Sequence, residues 1–398
     1  MAAARMVKAG AQKISSAHVR TSVLSEPWEY QESDTQYLTH NIHRYSGKFI
    51  PQLADRAIQL LSAPGDLILD PYCGSGTTLL EAAKLGRRAI GIDLSPLAVL
   101  ISTCKTKSIP NTILMNLKTE IASVIRHLAQ GSSHDMFPDE RVSAIEESAV
   151  VDSRAADEWF KKWFGDVNLR ELLVIDQAIK QFPNADAQRL ALLCLSNILR
   201  RVSRAATGYP NVMFDKNATD RPRPSKLYFR ELESVCKQIA ELDLVSPGLA
   251  SVTVTLGNAT EMPLANESVD AVITHPPYIG SIPYAEYGLL SLKWLGYDPK
   301  ELDRTLTGGK RQSSDVVARF ESGYLGMLRE SYRVLKRNRL IFLMVGDPVV
   351  KGKQVDLAKM TCDFAIGVGF KHVVTTTRNG INRRANKMGH ETLLFFQK

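Results

Sequence analysis

The residues with the clearest chemical potential form a short turn, His275-Pro276-Pro277-Tyr278. Proline fixes φ and has no N–H, so this turn is stiff and the carbonyl of Pro276 is free to accept a hydrogen bond. Together with an acceptor on the side chain at position 275, that carbonyl could hold both N–H bonds of a planar amino group and orient its lone pair for reaction. Tyr278 could stack on the ring that carries the amino group. Without its context, the same tetrapeptide is more typical of a rigid structural turn.

A second chemical feature is a glycine-rich loop. It consists of Asp70, Pro71, Tyr72, Cys73, Gly74, Ser75, Gly76 and Thr77. The loop lacks both the lysine of a phosphate-binding loop and the three spaced glycines of a dinucleotide fingerprint, so neither nucleotide interpretation fits. An acid at its start and a second acid, Asp93, at the end of the next predicted strand suit an ammonium group and ribose hydroxyls. The alternative is a plain glycine-rich turn with a capping aspartate.

The elements that must position these residues alternate between strand and helix. The apolar runs that predict buried strands are 67–70, 88–93, 252–256, 269–274 and 340–345. Helical periodicity follows the first run and precedes the last, which is the pattern of a parallel sheet. Segments 371–377 and 391–396 predict an antiparallel pair that closes this sheet.

The chain divides into three predicted parts. Residues 1–38 show no sustained period, which favours a flexible N-terminal arm. Residues 39–105 and 250–398 carry the strand and helix alternation and form the predicted catalytic domain. Between them, residues 106–249 have apolar positions at helical spacing, which predicts a large, mainly helical insertion that includes a target-recognition region.

Composition narrows the environment and the partners of the chain. A formal charge of +8 and a pI of about 9.1 favour a polyanionic partner. The five cysteines show no paired or Cys/His spacing, which argues against a disulfide framework and predicts no metal site. No apolar signal segment occurs near Met1, and no stretch approaches the roughly 20 apolar residues of a membrane span. We therefore expect a soluble, cytoplasmic protein.

Basic segments are the candidates for contact with a polyanion. The end of the insertion carries Arg200, Arg201, Arg204, Lys216, Arg221, Arg223, Lys226 and Arg230. A second segment, without an acid between Lys371 and Glu391, carries Arg378, Arg383, Arg384 and Lys387, and a shorter loop carries Lys310 and Arg311. Such segments can bind phosphates, and the first is our candidate for target recognition. The alternative is a solvated loop with capping charges.

In combination, these motifs resemble those of the amino-group DNA methyltransferases, which make N4-methylcytosine or N6-methyladenine. The matching segments are 43–51, 70–77, 91–93, 257–263 and 274–278, which resemble motifs X, I, II, III and IV in that order. The resemblance implies a Rossmann-like methyltransferase fold of the α/β class. It also implies S-adenosyl-L-methionine as the cofactor and double-stranded DNA as the partner.

The resemblance assigns a cofactor pocket and a base pocket. The residues that it implies for the cofactor are Phe49, Pro51, Asp70, Pro71, Cys73, Gly74, Ser75, Gly76, Thr77, Asp93, Asn258 and Ala259. Within this set, the loop would line the methionine end, Asp93 would bind the ribose, and Asn258 with Ala259 would lie near the adenine. The turn from His275 to Tyr278 would receive a target base that has flipped out of the duplex.

One residue departs from the family's pattern. The family usually has serine, aspartate or asparagine where this chain has His275. A neutral imidazole can accept one hydrogen bond, so catalysis remains feasible. Because Thr274 and the residues after Tyr278 resemble the cytosine-N4 group more closely, we predict cytosine N4 as the target, with adenine N6 as the alternative.

Two other functions stay open at this point. An RNA methyltransferase that acts on guanine N2 in tRNA shares the fold and a similar Pro-Pro-Tyr turn. It usually carries an N-terminal RNA-binding domain, for which an arm of 38 residues is too short. A non-catalytic DNA-binding subunit would explain His275, although the intact glycine-rich loop argues against it. The family's usual setting is restriction-modification, which implies a cognate restriction endonuclease as a further partner.

Overall fold

The computed structural model describes residues 15–130, 140–218, 220–246, 248–280, 283–308, 316–350, 352–379 and 390–398. The strands are β1 (Leu67–Asp70), β2 (Arg88–Asp93), β3 (Val252–Leu256), β4 (Val269–Thr274), β5 (Leu335–Gly346), β6 (Val349–Val350), β7 (Lys353–Gln354), β8 (Lys371–Asn379) and β9 (His390–Gln397). Helices α1 to α7 are Ser16–Ser25, Pro51–Leu61, Thr77–Lys84, Pro96–Lys105, Asn111–Gln130, Glu140–Val150 and Ser153–Ala156. Helices α8 to α15 are Glu158–Gln181, Ala185–Val202, Pro224–Val245, Tyr284–Tyr287, Leu289–Trp294, Pro299–Thr305, Val316–Val334 and Leu357–Val368. Within the described ranges, no helix combines the length and apolarity needed to span a membrane.

Seven strands form one sheet in the order β3-β2-β1-β4-β5-β9-β8. The strands from β3 to β5 pair in parallel, whereas β9 runs antiparallel to both β5 and β8. The chain order of the strands reverses between β1 and β4, and open α/β sheets bind ligands beyond the carboxyl ends of the strands at such a point. This topology confirms the predicted Rossmann-like fold with a mostly parallel sheet and a closing antiparallel strand.

Helices cover both faces of the sheet, which explains why the sequences of its central strands are continuous apolar runs. All six residues of β4 are buried. Alternate residues point to opposite faces: Ile68 and Ala271 pack with α2 and α3, whereas Leu69 and Val272 pack with α14. The strand ends are therefore held by cores on both sides, and the loops that follow β1 and β4 rest on a rigid base.

The described residues between 106 and 249 form helices α5 to α10, with one isolated β-bridge between Ala205 and Phe214. Their apolar faces share a core around Leu172, Leu193 and Leu232, and α4 of the α/β part contributes to the same core. The insertion is thus packed onto the sheet domain along α4.

The prediction of a flexible arm is wrong for the described residues 15–38. These residues contain α1, whose Val19 and Val23 are buried. The ring of Trp28 is 1% exposed, lies 6.2 Å from that of Phe342 on β5, and carries the guanidinium of Arg56 at 4.0 Å. The segment is ordered by contacts with residues far away in the chain, which its own weak periodicity does not reveal. Residues 1–14 lie outside the described ranges.

Candidate active site

Two glycines in the left-handed region shape the loop after β1. Gly74 has a φ of 48° and Gly76 a φ of 75°, a conformation that favours glycine. A Cβ on Gly76 would lie 2.7 Å from the Cβ of Ser102 on α4, so the loop fits closely against that helix. The N–H of Gly74 donates to Oδ2 of Asp93 at 2.8 Å. The protein's own packing therefore fixes the backbone of this loop.

Two aspartates flank the loop. Asp70 is 4% exposed, and its Oδ1 accepts a hydrogen bond from Oγ1 of Thr274 at 2.6 Å. Asp93 accepts from the N–H groups of Gly74 and Ser95, both at 2.8 Å. Burial raises the pKa of Asp70 and that of Asp93 to about 6. Both carboxyls are thus mostly ionised at neutral pH and can bind a cation or a hydroxyl group.

The predicted catalytic turn lies beside this loop. β1 and β4 are parallel neighbours, with Leu69 opposite Val272, so their carboxyl ends meet at one edge of the sheet. The buried hydroxyl of Thr274, the last residue of β4, donates to Asp70 at the start of the loop. This hydrogen bond joins the predicted cofactor loop to the predicted base-binding turn.

His275 is held by aromatic neighbours on both sides. Its ring centroid lies 5.9 Å from that of Phe49 and 5.1 Å from that of Tyr278. Burial lowers the pKa of His275 to about 4, and the positive charge of Arg378 contributes in the same direction. The imidazole is therefore neutral at physiological pH, as an acceptor must be.

A hydrogen bond within the turn limits what His275 can do in this conformation. Its Nε2 and the hydroxyl of Tyr278 are 2.7 Å apart, and Tyr278 is only 6% exposed. Whichever of the two atoms donates, Nε2 is engaged by Tyr278. The predicted hydrogen bond from a base amino group to the side chain at position 275 therefore requires this pair to separate first.

A narrow cleft runs between the loop and the turn, and the segment before α2 forms its third side. Its lining residues are Tyr45, Gly47, Lys48, Phe49, Asp70, Tyr72, Cys73, Gly74, Ser75, Thr77, Thr78 and His275. We call this the sheet-edge cleft. Predicted cofactor residues among them are Phe49, Asp70, Cys73, Gly74, Ser75 and Thr77. The structure thus brings the segments that resemble motifs X, I and IV around one cleft.

The other predicted cofactor residues do not line this cleft. Pro51 and Pro71 are buried, and Pro51 is the first residue of α2. Asn258 and Ala259 follow β3, where the preceding Gly257 donates its N–H to the carbonyl of Asp93 at 3.0 Å. The segment that resembles motif III therefore lies next to the acid predicted to bind the ribose.

The predicted DNA-binding residues in the insertion border an open cleft of about 330 Å³. It is lined by Phe164, Gly165, Asp166, Val167, Asn168, Arg204, Asp220, Arg221 and Arg223. Arg223 also forms an ion pair with the buried carboxylate of Glu171. Arg221 donates to the carbonyl of Ala205 at 2.7 Å and has no carboxylate partner among the described residues. Of the two predicted arginines, Arg221 is the better candidate for a phosphate contact.

The structure contradicts a direct phosphate contact for Arg378. This side chain on β8 is 2% exposed and pairs with Glu391 on β9, with an N–O distance of 2.8 Å. The inward side of β8 cannot be recognised from the charge of the segment alone. Tyr228, an aromatic residue among the basic residues of the insertion, is also fully buried and donates to the carbonyl of Ala191 at 2.9 Å. Lys310, Arg311, Arg383, Arg384 and Lys387 lie outside the described residues.

Sequence reasoning did not identify the lysines near the sheet-edge cleft. Lys48 lines it, and Lys105 at the end of α4 reaches Ser75 with an Nζ–Oγ distance of 3.3 Å. A usable signal existed for Lys105, since it follows the buried Ile101 by four residues and so falls on the same helix face. A lone lysine on an otherwise apolar face indicates a functional or structural charge.

The chain is similar in sequence to known DNA methyltransferases. A family model described as DNA methylase matches residues 5–103. The Type II methyltransferase M.MjaII of Methanocaldococcus jannaschii is 24% identical over 384 residues, which cover 77% of this chain and 72% of the relative. The Type II methyltransferase M.MvaI of Kocuria varians is 24% identical over 316 residues, which cover 72% of this chain and 65% of the relative. A solved SAM-dependent methyltransferase from Methanosarcina mazei is 12% identical and covers 86% of this chain and 96% of its own, with a TM-score of 0.34.

The fold and the site together define the class. A Rossmann-like sheet with a glycine-rich loop after β1 and acids at the ends of β1 and β2 is the architecture of the S-adenosylmethionine-dependent methyltransferases. With the Pro-Pro-Tyr turn and the relatives above, the chain is similar to the amino-group DNA methyltransferases, whose members modify cytosine N4 or adenine N6. The cofactor of this family is S-adenosyl-L-methionine.

Proposed function

We propose that this protein is a site-specific DNA methyltransferase that transfers a methyl group to the exocyclic amino group of a flipped base, with cytosine N4 as the favoured target. The observation that carries the proposal is the hydrogen bond of 2.6 Å between Thr274 and Asp70. It joins the glycine-rich loop to the Pro-Pro-Tyr turn at the switch point of the sheet, so a methyl donor and an amino group would meet at one edge.

The residues around the loop fit S-adenosylmethionine. Asp70 offers a buried, ionised carboxylate for the methionine ammonium, and Asp93 offers one for the ribose hydroxyls. Gly74 leaves room beside Tyr45, because a Cβ there would lie 3.2 Å from the tyrosine ring. When bound, this cofactor supplies a methyl group activated by its positively charged sulfur.

The turn supplies the base side of the reaction. The carbonyl of Pro276 would accept one N–H of the base amino group, and the ring of Tyr278 would stack on the base. As the new N–C bond forms, the amino nitrogen must lose a proton. The neutral His275 can accept that proton at Nε2 once the hydroxyl of Tyr278 has moved away. Opening of the His275–Tyr278 pair would therefore accompany entry of the base.

The choice of cytosine N4 rests on the sequence around the turn. Thr274 precedes the turn here, and the segment as a whole resembles the cytosine-N4 group more closely than the adenine-N6 group. Because the relatives reported above are Type II methyltransferases, we propose that the protein acts in a restriction-modification system with a cognate endonuclease. The arginine-lined cleft of the insertion, with Arg204 and Arg221, is the proposed DNA contact.

The direct test measures the substrate and the product together. Purified protein is incubated with methyl-labelled S-adenosylmethionine and either duplex DNA or total tRNA, and the labelled nucleoside is identified by mass spectrometry. We expect N4-methylcytosine in DNA and no label in tRNA. Modification-sensitive sequencing of DNA from expressing cells then yields the recognition site.

The other outcomes separate the alternatives. N6-methyladenine would overturn the base choice, and label in tRNA alone would overturn the DNA substrate. If calorimetry detected no binding of S-adenosylmethionine, a non-catalytic DNA-binding subunit would replace the enzyme. A Pro276→Ala variant serves as the inactive control, since it should retain cofactor binding and produce no label.

A further inference from the structure

A buried lysine beneath the glycine-rich loop has no charged partner among the residues that the structure describes. Lys105, the last residue of α4, has 0% exposure, and its Nζ lies 3.3 Å from Oγ of Ser75. Within the described part of the chain, it forms no ion pair. Removing an ammonium group from water is costly unless an anion compensates it, and one long hydrogen bond to a neutral hydroxyl does not.

The neighbouring charges do not compensate the buried ammonium of Lys105. Lys48, which donates to the carbonyls of His40 and His43, is near enough to lower the pKa of Lys105. Burial is the larger cause, and together they hold the pKa of Lys105 well below its usual value. The nearby buried carboxylate of Glu81 is already occupied by other donors. Its partners are Tyr37, His40 and Lys84, at 2.8, 2.7 and 2.5 Å.

The two lysines place this uncompensated positive charge at the sheet-edge cleft. Ser75 and Lys48 both line the cleft, beside Cys73 and Gly74. Asp70, the acid proposed for the methionine ammonium, lines the same cleft. An amino acid carries its ammonium and its carboxylate on one carbon atom. The cleft correspondingly offers an anion at Asp70 and excess positive charge toward Lys105.

We propose that Lys105, together with Lys48 and Ser75, binds the carboxylate of the cofactor's methionine part. This inference rests on the proposed function, because it assumes that S-adenosylmethionine occupies the cleft. The carboxylate would neutralise the buried ammonium and replace its single long contact with a charge-assisted hydrogen bond. The proposal adds α4 to the parts of the chain that recognise the cofactor.

The test compares two ligands that differ only in this carboxylate. Dissociation constants of S-adenosylmethionine and decarboxylated S-adenosylmethionine are measured by calorimetry for the wild type and for Lys105→Met. We expect the wild type to prefer the carboxylated ligand by about 10- to 100-fold, as is typical of a charge-assisted contact. Lys105→Met should lose most of this preference, and the part that remains should come from Lys48 and Ser75.

Controls keep the result specific to this site. Lys107→Met removes a lysine two residues away that is half exposed and pairs with Asp186, so it should retain the full preference. Circular dichroism and thermal denaturation check that each variant is folded. If Lys105→Met does not fold, Ser75→Ala provides the second test and should reduce the preference in part.

Two results would count against the inference in distinguishable ways. An unchanged preference in Lys105→Met, or the absence of any preference in the wild type, would overturn the role of Lys105 and leave the proposed function intact. Failure of the wild type to bind either ligand would overturn the proposed function itself.

Discussion

The cofactor side and the base side of the sheet-edge cleft are built differently. On the cofactor side, Asp93 accepts from two backbone N–H groups, and Gly76 is fixed against α4. On the base side, His275 and Tyr278 are hydrogen-bonded to each other. The backbone thus preforms the cofactor side, whereas the base side must exchange an internal contact for a substrate contact. Changes on the two sides should therefore separate cofactor binding from methyl transfer.

The largest effect is expected at Pro276. Pro276→Ala restores a backbone N–H and releases φ, so the carbonyl that should hold the base amino group loses its fixed direction. We expect the rate of methyl transfer to fall by at least about 100-fold, the loss typical of a misplaced reacting group. The dissociation constant of S-adenosylmethionine should remain within about 2-fold of the wild type, because the loop is held independently.

Two further variants test this separation. Pro299→Ala changes the first residue of α13, a site outside the cleft, and should leave both measurements unchanged. Tyr278→Phe removes only the hydroxyl that engages His275, so we expect a smaller loss of transfer than in Pro276→Ala. Loss of cofactor binding together with transfer in Pro276→Ala would show that the turn is structural and that the two sides are not separate.

The second largest effect is expected at Gly76 on the cofactor side. Gly76→Ala places a Cβ 2.7 Å from that of Ser102 at a φ of 75°. The loop must shift, and we expect the affinity for S-adenosylmethionine to fall by at least about 10-fold and the free energy of unfolding by about 1–3 kcal/mol. Calorimetry and chemical denaturation measure the two quantities.

Gly86→Ala is the matched control for backbone strain. Gly86 has nearly the same φ, 76°, but a Cβ there would come no closer than 3.9 Å to Pro64. This variant should lose about 1 kcal/mol of stability from the left-handed backbone and retain its cofactor affinity. Equal loss of affinity in both variants would mean that strain, and not contact with α4, sets the shape of the loop.

The architecture is more predictable from the sequence than the side-chain partners are. The strands at 67–70 and 269–274 and the helix 316–334 follow from apolar runs and helical periodicity, which are local signals. The meeting of Asp70 with Thr274 also follows, because adjacent parallel strands end at the same edge. Fold class and the two facing loops can therefore be predicted from the order and type of the residues.

Long-range pairing cannot be predicted in this way. The burial of Trp28 depends on Phe342, and that of Arg378 depends on Glu391, each on a different element. The sequence of a basic segment shows how many charges it carries but not which of them point inward. The hydrogen bond between His275 and Tyr278 depends on the conformation of the turn, so residue types alone predict an available acceptor where the structure has an occupied one.

A third prediction uses pH to separate the two sides. The pKa values of Asp70 and Asp93 are raised to about 6, whereas that of His275 is lowered to about 4. The carboxylates bind the cofactor only when ionised, so affinity should fall as pH decreases through 6. At pH 5 about one tenth of each group is ionised, which weakens binding by about 10-fold for each group relative to high pH. His275 stays neutral over the same interval.

Calorimetric titrations of S-adenosylmethionine between pH 5 and pH 8 measure this dependence. Asp93→Asn should bind more weakly at pH 8 and show a shallower pH profile, because one titrating group is gone. A flat profile in the wild type would mean that neither carboxylate contributes its charge to cofactor binding. His275 is not protonated between pH 5 and pH 8, so its protonation should not lower the rate of methyl transfer at saturating cofactor.

The smallest effect is expected at Arg221 in the insertion, outside the sheet-edge cleft. Arg221 borders the open cleft, so Arg221→Gln should weaken DNA binding. The slope of the logarithm of the DNA affinity against the logarithm of the salt concentration should become shallower by about 1. Arg378→Gln is the contrasting variant, because it leaves Glu391 partly buried without its partner and should cost about 3 kcal/mol of stability. Its salt slope should match the wild type. If Arg378→Gln changed the slope while Arg221→Gln did not, DNA would contact the β8 edge of the sheet, and the insertion would have another role.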